Sequence, residues 1–572
     1  MSLNALGNGD GSYLASYPDT HFDPANPLIA QGDRSLLLET HHPAYHEVRA
    51  AISPFAELEK SPEHIHTYRL TPLSLWNATA AGLTAADITN TLLRYAKYPV
   101  PGNVLTDVRE LCGRWGRVRL RRADGALTLE SDDGLLLAEL RRRREISPYL
   151  GARQSDHAID IAPEHRGALK QALLAVGWPV EDLAGYATGE PLPLDLRRDA
   201  FDLRDYQEDA AEAFYYGGTE RGGSGVIVMP CGSGKTIVGM AAMARVGQTT
   251  LILTTSRTSV QQWRRELLAK TTLEPEQITE YQGETRAMAP VTITTYQMLT
   301  WRSDRTGDFP NMRVFEEGNW GLIIYDEVHL LPAPIFRMTA ELQARRRLGL
   351  TATLVREDGR EGDVFSLIGP KKYDAPWREL EQRGWIAEAN CLEVRCKLPQ
   401  AARMDYAVAT PREKFRVASE NPVKPALVRH LLALHDGAHA LVIGQYLEQL
   451  QMIAGETGAP LITGKTSQKE RERLFAAFRA GEERVLILSK VGNFAIDLPD
   501  AEVLIQVSGA YGSRQEEAQR LGRILRPKSD GRQAWFYTLV SRETEEEDYA
   551  HHRQLFLTEQ GYGYGIVDEE EL

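Results

Sequence analysis

Long apolar runs, cysteines and net positive charge are all scarce in this chain, and each scarcity narrows the reading. No stretch of the sequence approaches the ~20 consecutive apolar residues that span a bilayer. The opening M-S-L-N-A-L-G-N-G-D-G-S lacks the basic-then-apolar order of a signal peptide and reads as a loose polar tail. Four cysteines in 572 residues (Cys112, Cys231, Cys391 and Cys396) are too few and too scattered for a disulfide framework. Cys391 and Cys396 have no second Cys or His pair near them, so buried thiols are expected rather than zinc ligands. A reducing, cytoplasmic compartment without membrane association fits best. The net charge of −13 at first argues against nucleic acid as a partner. Ser541 to Leu572, however, carry ten Asp and Glu against two Arg, a net of −8, which leaves −5 for everything before it. An enzyme tracking along nucleic acid needs a basic groove rather than a basic average, so total charge excludes nothing.

What is present is a chain of several domains, since single cores rarely grow past roughly 250–300 residues. Residues 1–23 read as disordered. From 24 to 134 an accessory domain is expected: two short strands around Gly32-Asp33, then helical segments Leu73 to Ala80, Ala85 to Tyr95 and Val104 to Trp115. A basic hairpin turning at Asp124-Gly125 follows, which together with the three helices suggests a winged-helix-like unit that docks a protein or DNA. A third unit, 135–194, contains the run Arg141-Arg142-Arg143-Arg144. A helix turns roughly 100° per residue, so those arginines cannot share one ligand and most belong to a solvated face. A linker with Gly189, Pro191 and Pro193 closes this unit. From 195 to 370, and again from 371 to 550, buried strands alternate with amphipathic helices, the pattern of a parallel sheet flanked by helices. The remainder, 551–572, reads as an acidic C-terminal tail.

Between Gly225 and Thr236 an apolar strand breaks at Pro230, passes Cys231, Gly232, Ser233 and Gly234, and enters a helix at Lys235-Thr236. Backbone N–H groups of such a turn and the positive end of the helix face an anion. Lys235 then reaches the outer phosphates of a nucleotide, and the Thr236 hydroxyl suits magnesium. The Walker pattern wants Gly where Met229 stands, so the loop departs from it by one position. Downstream, the strand L-I-I-Y ends at Asp326-Glu327-Val328-His329, where ligands bind in α/β sheets. There Asp326 can hold magnesium and Glu327 can activate water. His329 is placed to hydrogen-bond across to Thr351-Ala352-Thr353. In the second series Arg520, Arg523 and Arg526 recur at a spacing of three, suited to neutralising a transferred phosphoryl group.

L-R-D-Y-Q (203–207), P-C-G-S-G-K-T (230–236), D-E-V-H (326–329), T-A-T (351–353), S-K-V-G-N-F-A-I-D-L-P (489–499) and Q-R-L-G-R-I-L-R (519–526) stand in the order of superfamily 2 helicases. Together they resemble the XPB family of DNA repair and transcription helicases. Arg356-Glu357-Asp358 matches that family's R-E-D element, and R-Q-L-F-L-T-E-Q-G-Y (553–562) is similar to its C-terminal end. V-E-D-L-A-G-Y is similar to the end of the family's damage-recognition domain.

The resemblance implies an α/β fold of two tandem RecA-like motor domains preceded by small α+β accessory domains. It implies ATP-driven 3′→5′ movement on DNA with Mg²⁺, in nucleotide-excision-type repair or transcription-linked opening, by a nucleoid-associated protein. Arg204 and Gln207 would read adenine. Cys231, Gly232, Ser233, Gly234, Lys235 and Thr236 would hold the phosphates, and Thr236 and Asp326 the metal. Glu327 would activate water, Arg523 and Arg526 would be arginine fingers, and Gly492 and Asp497 would sense nucleotide near the ribose. Thr255, Ser256 and Arg257, then Thr294, Thr295 and Tyr296, and the Arg356-Glu357-Asp358 element would contact DNA. A third of the chain without visible catalytic residues implies partners at its N-terminal region, a repair nuclease or a transcription and repair protein. Two departures stand out. Asn493 replaces a frequent Asp, and only about Pro399 to Lys424 is available for the family's thumb. Duplex translocation without strand separation, or an ATPase switch in a scaffold, therefore remain as alternatives to unwinding.

Overall fold

The computed structural model describes residues 22–60, 64–123, 126–185, 188–199, 201–230, 232–282, 287–301, 310–332, 335, 346–352, 361–375, 380–381, 383–385, 387, 389–489, 501–509, 533–560 and 564–572. The first unit carries β1 (Leu28–Ala30), β2 (Ser35–Glu39), β3 (Glu57–Lys60) and β4 (Ile65–Arg69), antiparallel in the order β1-β2-β4-β3. Around it lie helices α1 (Tyr45–Ile52), α2 (Pro72–Ala80), α3 (Ala85–Tyr95) and α4 (Gly102–Cys112). Local chemistry sets two helix starts. Thr71 and Thr84 accept N–H bonds from Ser74 and Asp87, whose side chains bond back, so orphan donors are satisfied in reciprocal pairs.

The second unit corrects the sequence expectation. Hairpin strands β5 (Val118–Ala123) and β6 (Ala126–Glu130) do not serve as a wing on the preceding helices. They form the middle of another four-stranded sheet, β7-β6-β5-β8, with β7 (Ala158–Ile161) and β8 (Val180–Asp182) at its edges and α5 (Gly134–Arg142) and α6 (Arg166–Ala175) beside it. The inward residues explain this: Val118, Leu120, Leu127 and Leu129 join Leu136, Leu140, Ile159 and Leu169 in one core, separate from the core of α1–α4. The change of unit thus falls before Val118, not at 134. Both units rest on the next domain. Asn77 Oδ1 accepts the Lys371 N–H at 2.8 Å, Gln171 Nε2 donates to Asp363 at 3.0 Å, and Trp115 meets Phe365 edge to face.

The first motor lobe is built on α7 (Asp205–Tyr215), β9 (Ser224–Val228), α8 (Lys235–Val246), β10 (Thr250–Thr254), α9 (Arg257–Lys270), β11 (Ile278–Glu280), β12 (Val291–Thr295), β13 (Leu322–Asp326), β14 (Arg346–Thr351) and β15 (Lys371–Asp374). Its seven strands run parallel in the order β11-β12-β10-β13-β14-β9-β15. Helices on both faces bury β9, β10 and β12 along their whole length, which is why these strands read as unbroken apolar runs.

The second lobe repeats the plan with β16 (Ala389–Cys396), β17 (Ala440–Ile443), β18 (Leu461–Ile462), β19 (Val485–Leu488), β20 (Val503–Gln506), β21 (Ala534–Ser541) and β22 (Tyr564–Asp568), parallel in the order β18-β19-β17-β20-β21-β16-β22. Two short helices, Gln400–Val408 and Pro411–Ser419, fill the stretch between β16 and the helix Lys424–Leu434. The C-terminal segment is a second correction. It is not a free acidic tail: Glu545–Gln560 is helical, and β22 pairs with β16 from Cys391↔Tyr564 to Arg395↔Asp568. Glu569 and Glu570 accept bonds from the backbone N–H and the side chain of Lys397, so the acidic charge is tied down beside the sheet. Cys391 and Cys396 are buried free thiols, as expected, and burial pushes the Cys396 thiol up to about 11.

Candidate nucleotide site and nucleic-acid face

The phosphate loop sits at the C-terminal end of β9, between the inner strand β14 and the edge strand β15. Gly232 and Gly234 take φ of +81° and +89°, a region where a Cβ is strained. Gly234 is also the N-cap of α8 and has no side-chain cap, so the first N–H groups of a 12-residue helix face outward for an anion. Ser233 folds back to donate to the Pro230 carbonyl at 2.7 Å. The Ser233 carbonyl accepts from the Tyr206 hydroxyl at 2.7 Å and from Gln207 Nε2 at 2.8 Å. A Cβ at Gly234 would meet that same Nε2 at 2.5 Å, so α7 and the loop are matched in shape as well as bonding. Gln207, assigned to adenine by resemblance, therefore has its amide nitrogen on the loop. Arg204 lies at the start of α7, its Nη1 donating to the Tyr206 hydroxyl at 3.1 Å.

At the end of β13 the two acids are held differently. Asp326 Oδ2 accepts from Trp263 Nε1 at 2.9 Å, and its carbonyl accepts from the Tyr296 hydroxyl at 2.8 Å. Burial, then the neighbouring Glu327 charge, push its carboxyl up to about 6. Glu327 adopts φ +52°, a strained conformation for a side chain of its size, which swings it off the strand. Burial alone would raise its pKa, but the Lys235 ammonium and then His329 outweigh it and hold Glu327 below the usual carboxylate range. Lys235 Nζ lies 3.2 Å from Glu327 Oε1, with 12% and 18% of the side chains exposed. His329 Nδ1 is 2.6 Å from Thr351 Oγ1 and 3.6 Å from Glu327 Oε2, which makes the cross-strand bond the sequence suggested. Lys235, Asp326 and Glu327 are thus gathered at one place, beside Thr236 in the first turn of α8. A lysine cation, a buried acid and an ionised base beside an anion cradle can bind and hydrolyse a phosphoanhydride.

The expected DNA contacts divide. Thr255, Ser256 and Arg257 lie where β10 passes into α9; Arg257 is exposed, and Ser256 caps the helix by accepting the Ser259 N–H. Thr295 caps the short helix Tyr296–Leu299 in the same way. Thr294 is fully buried and donates to the Tyr281 carbonyl, and Tyr296 is buried with its hydroxyl on Asp326. Their side chains face the interior, and Thr295 is buried as well, so this strand end presents none of the three expected side chains to solvent. Cys231, Arg356, Glu357, Asp358, Gly492, Asp497, Arg523 and Arg526 lie outside the described residues.

Sequence reasoning missed Trp263, which fixes the Asp326 rotamer and whose ring fills the space a Cβ at Gly239 would need. It also missed Tyr206 on the loop. An aromatic sixty-three residues from its partner leaves no local signal; the N–H of a half-apolar helix face is the only hint.

Comparison with known proteins places these features in context. A family model described as ERCC3/RAD25/XPB C-terminal helicase matches residues 380–571. Type III restriction enzyme, res subunit, matches 200–356, and Helicase conserved C-terminal domain matches 28–155. The chain is 56% identical to the DNA 3′-5′ helicase XPB of Kineococcus radiotolerans, over 96% of this chain and 97% of that protein. It is 54% identical to the protein of the same name from Mycobacterium tuberculosis, over 96% and 98%. It is 32% identical to the General transcription and DNA repair factor IIH helicase/translocase subunit XPB of Schizosaccharomyces pombe, over 98% and 78%.

Proposed function

The chain belongs to the XPB family of DNA helicases, and from that premise we propose that it is an ATP-dependent 3′→5′ DNA helicase or translocase serving repair or transcription-linked opening. The observation that carries the reading is the Lys235–Glu327 pair at 3.2 Å beneath an uncapped helix N-terminus, in the first of two parallel-sheet lobes.

Lys235 leaves Glu327 for the outer phosphates when nucleotide enters. Glu327, freed of that partner, takes the proton of the attacking water. Gln207 keeps the loop closed from below while Arg204 faces the base. The site also fits a magnesium ion. The Asp326 carboxyl is buried beside the Glu327 charge, which together raise it to about 6 and which a cation there would relieve, and Thr236 adds a hydroxyl oxygen of the kind that ion takes. When bound, the ion would neutralise phosphate charge. Arg523 and Arg526 from the second lobe add positive charge to the transferred group, and Gly492 and Asp497 report nucleotide near the ribose. Lobe closure and reopening, with Ser256, Arg257 and the main chain at Thr295 gripping phosphates from the first lobe, steps the protein along DNA. Residues 24–194 carry none of this machinery and serve partner docking. Among the described residues no helix is long and apolar enough to cross a membrane.

The two-helix thumb favours a second reading, duplex translocation without strand separation. Strand displacement on 3′-tailed and 5′-tailed duplexes, with ATPase followed in the same tubes, tests both. Opening of only the 3′-tailed duplex supports the helicase. DNA-stimulated ATPase with neither duplex opened supports the translocase, and no stimulation by DNA overturns both.

A further inference from the structure

The segment joining the two lobes reaches back to the nucleotide site, and one residue in it has no role in the chemistry above. Trp385 lies with its ring over the Arg204 guanidinium, 4.3 Å from Cζ to the ring centroid, and its carbonyl accepts from Arg204 Nη1 at 3.4 Å. A tight turn fixes the ring there. Gly384 takes φ +68° and bonds to the Glu381 carbonyl at 2.9 Å, and the Trp385 N–H reaches the Leu380 carbonyl at 2.8 Å. Next to it Arg383 pairs with Asp205 at 3.8 Å, a second tie between the connector and the first turn of α7.

From Trp385 the contacts run without a break to the phosphate loop. Arg204 Nη1 bonds the Tyr206 hydroxyl at 3.1 Å, and that hydroxyl bonds the Ser233 carbonyl at 2.7 Å. The Arg204 N–H bonds Gln207 Oε1 at 3.1 Å, and Gln207 Nε2 bonds the same carbonyl. Among the described residues no carboxylate lies within ion-pair distance of Arg204. Its charge is held by an aromatic face and by neutral oxygens. A carboxylate partner would neutralise the guanidinium and occupy its fork; a ring face leaves the charge and the remaining donors available to acceptors on a base.

We propose that Trp385 is a positioning residue for base recognition: it holds Arg204 toward the base of the bound nucleotide, and, lying in the connector, makes that recognition depend on how the lobes stand. This rests on the reading of Arg204 as a base contact. Lobe opening that draws the connector away from α7 withdraws the ring and loosens the base while the phosphate loop is untouched.

The test is displacement of N-methylanthraniloyl-ADP from the full-length protein by ADP and, separately, by pyrophosphate, for the native chain and for Trp385→Ala, Trp385→Phe and Arg204→Ala. Trp385→Ala is expected to weaken ADP about tenfold, the scale of a partly buried cation–π contact, and to leave pyrophosphate unchanged. Trp385→Phe restores most of the loss. In steady state the Ala variant raises the KM for ATP with kcat retained, and narrows the preference for ATP over GTP. Equal weakening of ADP and pyrophosphate makes Trp385 merely structural and overturns the proposal. So does a null effect of Trp385→Ala where Arg204→Ala weakens ADP. If Arg204→Ala leaves ADP binding unchanged, the base-contact reading fails first and the proposal falls with it.

Discussion

Replacing Glu327 by Gln separates nucleotide binding from hydrolysis, and the size of the separation follows from one contact. Lys235 Nζ and Glu327 Oε1 are 3.2 Å apart with most of both side chains buried. Two unit charges at that distance attract by about 5 kcal/mol at an effective dielectric of ~20. Desolvation of both groups cancels most of this, leaving a net of about 1–2 kcal/mol. An incoming triphosphate must take Lys235 from this partner, so the native chain binds ATP against that net. Gln keeps the volume and a hydrogen-bond acceptor but removes the charge, and also removes a negative group facing the phosphates. Glu327→Gln is expected to bind ATP about 5- to 30-fold more tightly, the equivalent of that energy. Its single-turnover hydrolysis falls about 10²- to 10⁴-fold, because the general base is gone. Equilibrium titration of fluorescent ATP with magnesium and a quenched-flow single turnover read the two quantities. Unchanged or weaker binding refutes the exchange of Lys235 between carboxylate and phosphate. Retained hydrolysis refutes Glu327 as the base.

Lys235→Ala is the complementary change: turnover is lost and ATP affinity falls, while DNA binding measured without nucleotide is retained. In the second lobe, Lys424 and Glu546 are fully buried at 2.8 Å, and Lys424 also donates to the Val507 carbonyl. Lys424→Met is expected to cost about 3–5 kcal/mol, read as faster hydrogen exchange along β21, with much of it recovered by adding Glu546→Leu because no charge is then left alone. His66 is buried against the Tyr45 hydroxyl, and burial, then the nearby Arg49 charge, lower its pKa to about 4. The unfolded chain takes up this proton first, so the first unit loses stability as pH falls from about 6.5 to 4, by up to about 3 kcal/mol. His66→Gln flattens that dependence in thermal melts. Truncation after Gln560 removes β22 and the Tyr564 hydroxyl from buried Glu393, a 2.8 Å bond. It is expected to lower the melting temperature without raising DNA affinity, whereas a gain in affinity would show that the acidic segment competes with DNA.

The phosphate loop was legible because its chemistry is local: a buried strand, glycines at the positions that need positive φ, and Lys-Thr opening a helix all lie within twelve residues. The acids of D-E-V-H were legible for a related reason, since an apolar four-residue run places its own C-terminal end. His329 to Thr351 followed from two strand ends of one parallel sheet. The hairpin at Val118–Glu130 was misassigned because alternation tells which face of a strand is apolar, not which core receives it. Sheet order decided that. The acidic end was misjudged because composition marks a solvated segment, whereas β22 is a short edge strand whose Tyr564–Asp568 pairing depends on β16, some 170 residues earlier in the chain. Trp263 on Asp326, and Trp385 on Arg204, join residues that no spacing relates.

The sequence by itself therefore determined the two-lobed α/β plan, the anion cradle and the acid pair, because each depends on short-range periodicity or on backbone conformations that only certain residues adopt. Tertiary structure alone decided which side chains restrain those groups, which expected DNA-contacting side chains turn inward, and how the connector meets the nucleotide site. Those outcomes depend on burial and on charges brought together across the sheets, and these exist only once the chain has folded.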